Sequence, residues 1–191
     1  MNVVAFNGSP RRDGNTQVLL RHVLAILAAE GIDTELVQVG AKNIHGCIAC
    51  YKCFENKDRR CAVDNDILNT CIEKMLSADG IILGSPTYFA NMSPEIKALI
   101  DRAGLVAKAN EDMFRRKVGA AVVAVRRAGA VHTFDGINHF FTISQMIIPG
   151  ASYWNMGFGL EKGEVSGDAE GLQIMETLGR NMAWLLKKLA A

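Results

Sequence analysis

No stretch of this sequence approaches the roughly 20 consecutive apolar residues that a bilayer-spanning helix needs. The opening MNVVAFNGSPRR has too short an apolar run for a secretory signal, and its basic residues follow that run instead of preceding it. The expectation is therefore a cytoplasmic protein with no membrane partner. An excess of one charge is also lacking: 21 Lys and Arg stand against 20 Asp and Glu, a net charge of +1. Bulk electrostatics then gives nucleic acid no hold on this chain. No Gly-Lys-Ser/Thr triplet marks a Walker loop, and no GxGxxG marks a dinucleotide fingerprint. No Ser-His-Asp arrangement, internal repeat or low-complexity tract is evident.

What is present is the material of one domain, residues 1–191, with 49% hydrophobic content to build a core. Residues 2–6 are a short apolar run stopped by Asn7-Gly8, which reads as a buried strand. Residues 16–30 place Val18, Leu19, Val23, Ile26 and Leu27 at helical spacing and stop at Gly31. Residues 34–39 read as a second strand, 80–84 as a third, and the wholly apolar 118–125 as a fourth suited to the sheet centre. Helices are expected over 64–77, capped by Asp64 or Asn65, and over 94–109, with Ser93 as cap and Pro94 in the first turn. The aromatic-rich 134–147 reads as a helix, and 147–153 as a fifth strand, placed on an edge because Pro149 lacks an N–H. A glycine-containing loop over 157–167 precedes a last helix, 168–189, capped by Asp168 and ending near Lys187 and Lys188.

Strands alternating with helices five times predict right-handed crossovers and a parallel sheet covered on both faces. The expected fold class is α/β: a flavodoxin-like, doubly wound five-stranded parallel sheet of order 2-1-3-4-5, with a cysteine-rich loop inserted over 41–63 after strand two. A ligand would then lie at the carboxyl ends of the strands, where loops 8–16, 85–92 and 126–132 converge.

The first of these loops reads GSPRRDGNT. Gly8 is expected to permit a sharp turn. Ser9 and Thr16 offer hydroxyls, Asn15 an amide, and Arg11 and Arg12 positive charge, all where unpaired N–H groups open a helix and favour an anion. The bland alternative is a capped turn with glycine for geometry; serine, arginine, asparagine and threonine together argue for phosphate. Tyr88 and Phe89 offer aromatic area at a strand end for a flat ring, unless they merely cover the neighbouring helix.

Cys47, Cys50, Cys53 and Cys61 fall within fifteen residues. In a reducing compartment such density points to ligands or redox groups, not to structural disulfides. Three readings stand open. Zinc accepts four thiolates but commonly takes two separated Cys-x-x-Cys knuckles. A thioredoxin-like dithiol needs one Cys-x-x-Cys at a helix start, and here two overlap in a loop. A 4Fe–4S centre uses the full set, three ligands from one turn of chain and a later one to close the cube. Cys71, inside the expected helix 64–77, reads as a buried small hydrophobe. His45 is a neighbour of the cysteines, His22 a helix-surface residue, and His132 and His139 flank the region after strand four. Asp66, Asp101 and Arg102 read as helix capping and salt bridging, not as an acid–base pair.

GSPRRDGNT at 8–16 and SPTYFANMSPEIKALIDR at 85–102 resemble the NAD(P)H-dependent FMN reductase and flavodoxin-like superfamily. With CIACYKCFENKDRRC at 47–61 between them, the chain is similar over nearly its whole length to the iron–sulfur flavoprotein family. The resemblance implies that Ser9, Arg11, Asn15 and Thr16 hold the phosphate of FMN, and that Pro86, Thr87, Tyr88, Phe89 and Asn91 carry the flavin ring. It implies that the turn after strand four meets the flavin edge through Arg126, Ala128 and Gly129. It makes Cys47, Cys50, Cys53 and Cys61 ligands of a 4Fe–4S cluster, the seven-residue gap before Cys61 lying within the motif's range. It also implies a homodimer or homotetramer and a ferredoxin-like electron carrier as partner. Residues 152–159, with Tyr153, Trp154, Met156 and Phe158, carry more apolar surface than a lone loop should expose, which fits packing between subunits; the alternative folds Trp154 and Phe158 back onto their own sheet.

The resulting expectation is an FMN-dependent oxidoreductase in which FMN exchanges two electrons and a cluster passes them singly, with no side chain required as catalyst. Its rivals are an NAD(P)H-dependent FMN, quinone or nitro-compound reductase without a cluster, and a non-enzymatic flavodoxin-like carrier or redox sensor.

Overall fold

Alternation along the strands sets the layers. In β1 (Asn2–Asn7), Val3 and Ala5 point to one face of the sheet while Val4 and Phe6 point to the other, and all four are buried. A strand buried on both faces needs cover on both, and the helices provide it. The computed structural model describes residues 1–190. Its sheet has the expected order, β2-β1-β3-β4-β5, with every neighbour parallel. β2 (Asp33–Gln38) is one edge, polar and half-exposed, and β3 (Gly80–Pro86) and β4 (Val118–Val125) fill the centre. On the Val3 face lie α1 (Asn15–Ala29) and the last helix, whose Leu178, Met182 and Leu186 meet Leu19, Leu20 and Val23 in one core. On the Phe6 face lie α3 (Leu68–Ser77), α4 (Pro94–Ala109) and α5 (Ala130–Ile143), built around Ile72, Met75, Leu99, Phe114 and Phe141. Between β2 and α3 the cysteine loop carries one short helix, α2 (Lys52–Asn56), where irregular chain is expected.

Four boundaries differ from the sequence reading, each for a local reason. The fifth strand is not 147–153 but β5 (Met156–Phe158), paired with Val123–Val125. Ile147 does touch the sheet through one parallel bridge to Val118. Pro149 cannot donate the next ladder bond, so the chain leaves the sheet and rejoins it at Asn155. There the buried Asn155 amide donates to the Ala121 carbonyl at 3.0 Å, and its own carbonyl accepts from Val123 N–H. The helix expected over 134–147 runs four residues earlier, from Gly129 in the left-handed region to Ser144, and Gln145, also left-handed, ends it.

α3 begins at Leu68, and its N–H is taken by Asp66 Oδ1 at 3.0 Å, so the capping carboxylate is Asp66 and neither Asp64 nor Asn65. Ser93 stands at the N-terminus of α4, with Pro94 following, but its hydroxyl caps nothing and has no partner. The loop expected over 157–167 takes in the end of β5 and a 3-10 turn, Glu164–Gly167. α6 (Ala169–Ala190) starts as expected: Asp168 Oδ1 accepts from Gly171 N–H at 3.0 Å, and Oδ2 accepts from Phe158 N–H at 2.7 Å, tying helix to edge strand.

Candidate functional site

The carboxyl ends of β1, β3 and β4 form a cleft of about 140 Å³ lined by Ser9, Arg11, Asn15, Thr16, Pro86, Thr87, Tyr88 and Arg126, with Gly159 and Leu160 at its far wall. The structure thus gathers eight of the twelve expected flavin-site residues in one place. α1 opens on Gly14 with no side-chain cap and no acidic residue in its first turn, so its leading N–H groups face the cleft unneutralised. Thr16 is buried, and its hydroxyl has no hydrogen-bond partner. A buried orphan hydroxyl is costly unless something accepts or donates there. A phosphate at a helix N-terminus is such a group. The residues therefore fit an anionic phosphate.

Several residues that the sequence reading passed over hold this loop. Asn7 Oδ1 accepts from Ser9 N–H at 3.0 Å, and its Nδ2 donates to Gln38 Oε1 at 2.8 Å. Gln38 Nε2 in turn donates to the carbonyls of Ser9 and Gly40, at 2.7 and 2.9 Å. The only sequence signal for this clamp is polar residues at the ends of two strands. Gly8 does not serve a left-handed turn. A Cβ on it would sit 2.2 Å from the Ile96 side chain, so glycine is there because α4 presses on the loop. On the other wall Arg11 donates to the Leu160 carbonyl at 3.3 Å, and Asn15 Oδ1 accepts from Val165 N–H at 3.3 Å.

Beyond β3 the chain makes a two-residue turn. Tyr88 and Asn91 exchange both backbone hydrogen bonds, at 2.8 and 3.0 Å, and Phe89 and Ala90 lie between them with φ of 48° and 59°. Positive φ at both central residues is a type I′ turn, uncommon for residues other than Gly, Asn or Asp, and strain of this kind clusters at ligand sites. Phe89 is fully exposed at the tip, and Asn91 Oδ1 accepts from Met92 N–H. Gly129 (φ 86°) faces this turn so closely that a Cβ would lie 3.2 Å from Ala90. Ala128 and Gly129 line a second cavity of about 270 Å³, with Tyr153, Trp154 and Phe158, rather than the cleft itself. Phe89, Asn91, Ala128 and Gly129 are therefore brought to the rim beside the cleft, not into it.

The cysteine loop lies along α4. Its start, Ala41 N–H, donates to Glu95 in the first turn of α4, and Arg59 N–H donates to Asn110 at the end of that helix. Cys47, Cys50, Cys53 and Cys61 all line one small cavity against Arg102, Leu105 and Val106 of α4. Cys47 and Cys50 are exposed, Cys53 is buried and Cys61 is half-buried; none is in a disulfide. Burial pushes the Cys53 thiol up. Ala49, Tyr51, Lys57 and Arg59 all have positive φ, a conformation uncommon for residues other than glycine.

Among the described residues no three His, Cys, Asp or Glu side chains are close enough to share a single metal ion. The cavity they line has about 20 Å³ of free space, the size of one water. Cys47, Cys50, Cys53 and Cys61 are thus assembled on one wall but do not form a closed single-ion site such as structural zinc uses. The donor chemistry nevertheless fits a cluster: four thiols, no carboxylate or imidazole on the cavity wall, and ligand sulfurs that an iron–sulfide cube would itself hold apart. His45 and Cys71 contribute no side chain to this wall. Cys71 is buried inside α3, its thiol pushed up to about 12 by burial.

Arg102 forms a salt bridge, as the sequence suggests, but not on the surface. Its partner is Asp66, buried with it behind the cysteines. Burial works against the charge of both, and their mutual hydrogen bonding outweighs it: Asp66 is held below the usual carboxylate range and Arg102 above its own. Nothing in the pattern SPEIKALIDR marks that arginine as turned inward.

Comparison with known proteins places this architecture. The family model of NADPH-dependent FMN reductase matches residues 1–161. An iron–sulfur flavoprotein of Methanocaldococcus jannaschii is 38% identical over 194 residues, covering 98% of each chain. The iron–sulfur flavoprotein of Methanosarcina thermophila is 32% identical over 152 residues, 78% of each chain. Among solved structures, RosB with a bound formylated riboflavin phosphate intermediate superposes with a TM-score of 0.76 at 19% identity, covering 100% of this chain and 80% of its own. An archaeal flavodoxin superposes with a TM-score of 0.63 at 17% identity, covering 98% and 99%. With the parallel sheet, the anion cleft and the cysteine loop in their expected order, this chain belongs to the iron–sulfur flavoproteins of the NADPH-dependent FMN reductase family.

Proposed function

We propose that this FMN-dependent oxidoreductase carries a 4Fe–4S cluster on Cys47, Cys50, Cys53 and Cys61 and exchanges single electrons with a ferredoxin-like carrier or a small molecule. The observation that carries this reading is the convergence of four cysteines, and no other metal-binding side chain, on one cavity wall. Bound flavin supplies the change between two-electron and one-electron chemistry, and the cluster supplies a one-electron relay. The chain's own part is to seat the phosphate between Ser9, Thr16 and the first turn of α1, to press the ring against the turn at Tyr88–Asn91, and to keep the thiols together. Arg102 lies eight residues into α4, about 12 Å along that helix from its start, and the cysteine wall and the cleft share no lining residue. Within one chain the two sites are therefore separate stations.

A second reading has one observation in its favour. The cavity as it stands holds no more than a water, which suits an NAD(P)H-dependent reductase whose cysteines bind nothing. Anaerobic purification and reconstitution, with iron, sulfide and FMN analysis, separates the two. The cluster reading expects about four irons per chain, lost on substituting any of the four cysteines by serine and kept in Cys71→Ser. Zinc in place of iron, no iron, or equal loss in Cys71→Ser would overturn it. Rapid NAD(P)H oxidation by the iron-free protein would establish the alternative.

A further inference from the structure

The guanidinium of Arg102 has five N–H donors, and all five are engaged. Nε and Nη2 approach Cys61 Sγ at 3.4 and 3.3 Å. Nη2 also donates to the Val63 carbonyl at 2.6 Å, and Nη1 to the His45 carbonyl at 3.1 Å and to Asp66 Oδ2. Asp66 takes the His45 N–H at 3.0 Å with the same oxygen. Both charged side chains are removed from solvent. The near strand of the loop, at His45, and its return, from Cys61 to Asp66, are thus joined through one buried cation.

A buried ion pair is weak grounds for stability, since apolar side chains of similar size often serve as well. What an apolar pair cannot do is present two N–H groups to a sulfur. We propose that Arg102 is a positioning residue for the metal centre: its fixed charge and its two N–H groups hold Cys61 as one ligand and favour the reduced cluster, with Asp66 as the opposing charge that sets how strongly. The inference rests on the cluster reading above. One-electron reduction adds negative charge to the cluster and its sulfurs. A cation hydrogen-bonded to one of those sulfurs stabilises that added charge, and a carboxylate behind the cation offsets it. Arg102 and Asp66 therefore act on the reduction equilibrium in opposite directions, although each loss weakens the same brace.

That opposition gives the test. Wild-type protein, Arg102→Gln, Arg102→Lys and Asp66→Asn are reconstituted anaerobically, assayed for iron, and titrated for the midpoint potential of the cluster. Arg102→Gln should make reduction about tenfold less favourable, near 59 mV lower for a one-electron couple. Asp66→Asn should move the potential upward. Arg102→Lys, which keeps the charge but not the fork, should stay within about threefold of wild type while the metal-free protein melts at a lower temperature. If Arg102→Gln does not fold, the upward shift in Asp66→Asn and the near-constancy of Arg102→Lys carry the decision. A full iron complement with unchanged potentials, or with Arg102→Gln and Asp66→Asn shifting the same way, would overturn this inference and leave the cluster reading intact. Wild-type protein that takes up no iron removes both.

Discussion

Thr16 shows what a single residue can report. Its hydroxyl is buried at the first turn of α1 without a partner. In the flavin-free protein that orphan is a cost, and with phosphate present it becomes a contact. Thr16→Val should therefore leave the apoprotein as stable or slightly more stable while weakening FMN at least tenfold, because hydrogen bonds to charged groups are worth about 1.5–3 kcal/mol. Fluorescence titration with FMN and a urea melt of the apoprotein check the two halves; an unchanged FMN affinity would remove Thr16 from the phosphate site. That Ser9, Arg11, Asn15 and Thr16 of GSPRRDGNT share one cleft was legible in the sequence, because they stand at short fixed offsets from a helix start. The Asn7–Gln38 clamp beneath it was not, because its two members are 31 residues apart and meet only when β1 pairs with β2. Cys71 was legible as a core residue for the opposite reason: one thiol on the apolar side of a helix has little else to do.

At the scale of elements, α3 and α4 share an apolar core and are also joined by an ion pair, where Asp66 ahead of α3 meets Arg102 within α4. Burial raises the Asp66 carboxyl, but hydrogen bonds from Arg102 and from the His45 and Leu68 N–H groups outweigh it and leave it depressed. A carboxylate depressed in the folded state contributes stability that is complete above its unfolded pKa of about 3.9 and is lost as pH falls through the lower folded value. Asp66→Asn should accordingly cost about 3 kcal/mol at pH 7, the lower end for breaking a buried pair, and should destabilise progressively less as pH falls below about 4. Urea midpoints from pH 2.5 to 7 measure this; a constant difference across that range would show that Asp66 is not the titrating group. Element boundaries follow the same logic of competing demands. The run over 134–147 has one apolar pattern but two destinations. Its first part buries Ile137, Phe140 and Phe141 as helix, and Ile147 crosses to the sheet. Hydrophobic periodicity marks both parts as buried and cannot mark the left-handed residue, Gln145, that divides them.

At the scale of the whole molecule, Tyr153, Trp154 and Phe158 stand half-exposed on the wall of the 270 Å³ cavity, and Leu160 is as exposed on the wall of the cleft. Met156, which the sequence groups with them, is buried instead, packed with Val123, Val125 and Ala130. A contiguous apolar surface of this kind marks an interaction site, and we propose that a second copy of the chain covers it in a homodimer or homotetramer. Light scattering on FMN-loaded protein should give at least twice the chain mass at micromolar concentration, and Trp154→Ser with Phe158→Ser should shift it toward the monomer. A wild-type monomer would refute the assembly and leave electron transfer between stations to one chain and its carrier. Among the described residues no helix is long and apolar enough to cross a membrane.

The sequence by itself determined the strand order, the polar turn between the first strand and its helix, and the cysteine insertion. Each is written in local signals: apolar runs of strand length, a glycine-rich strand-to-helix turn, cysteines at short fixed spacing. What only the tertiary structure decided was which distant groups are made neighbours. It put Arg102 against Cys61 across 41 positions, moved the fifth strand past Pro149 to Met156, and set Ala128 and Gly129, expected at the flavin edge, on the wall of a different cavity. Such placements depend on where two elements press together, and the energy of that contact belongs to the pair, so neither segment alone records it.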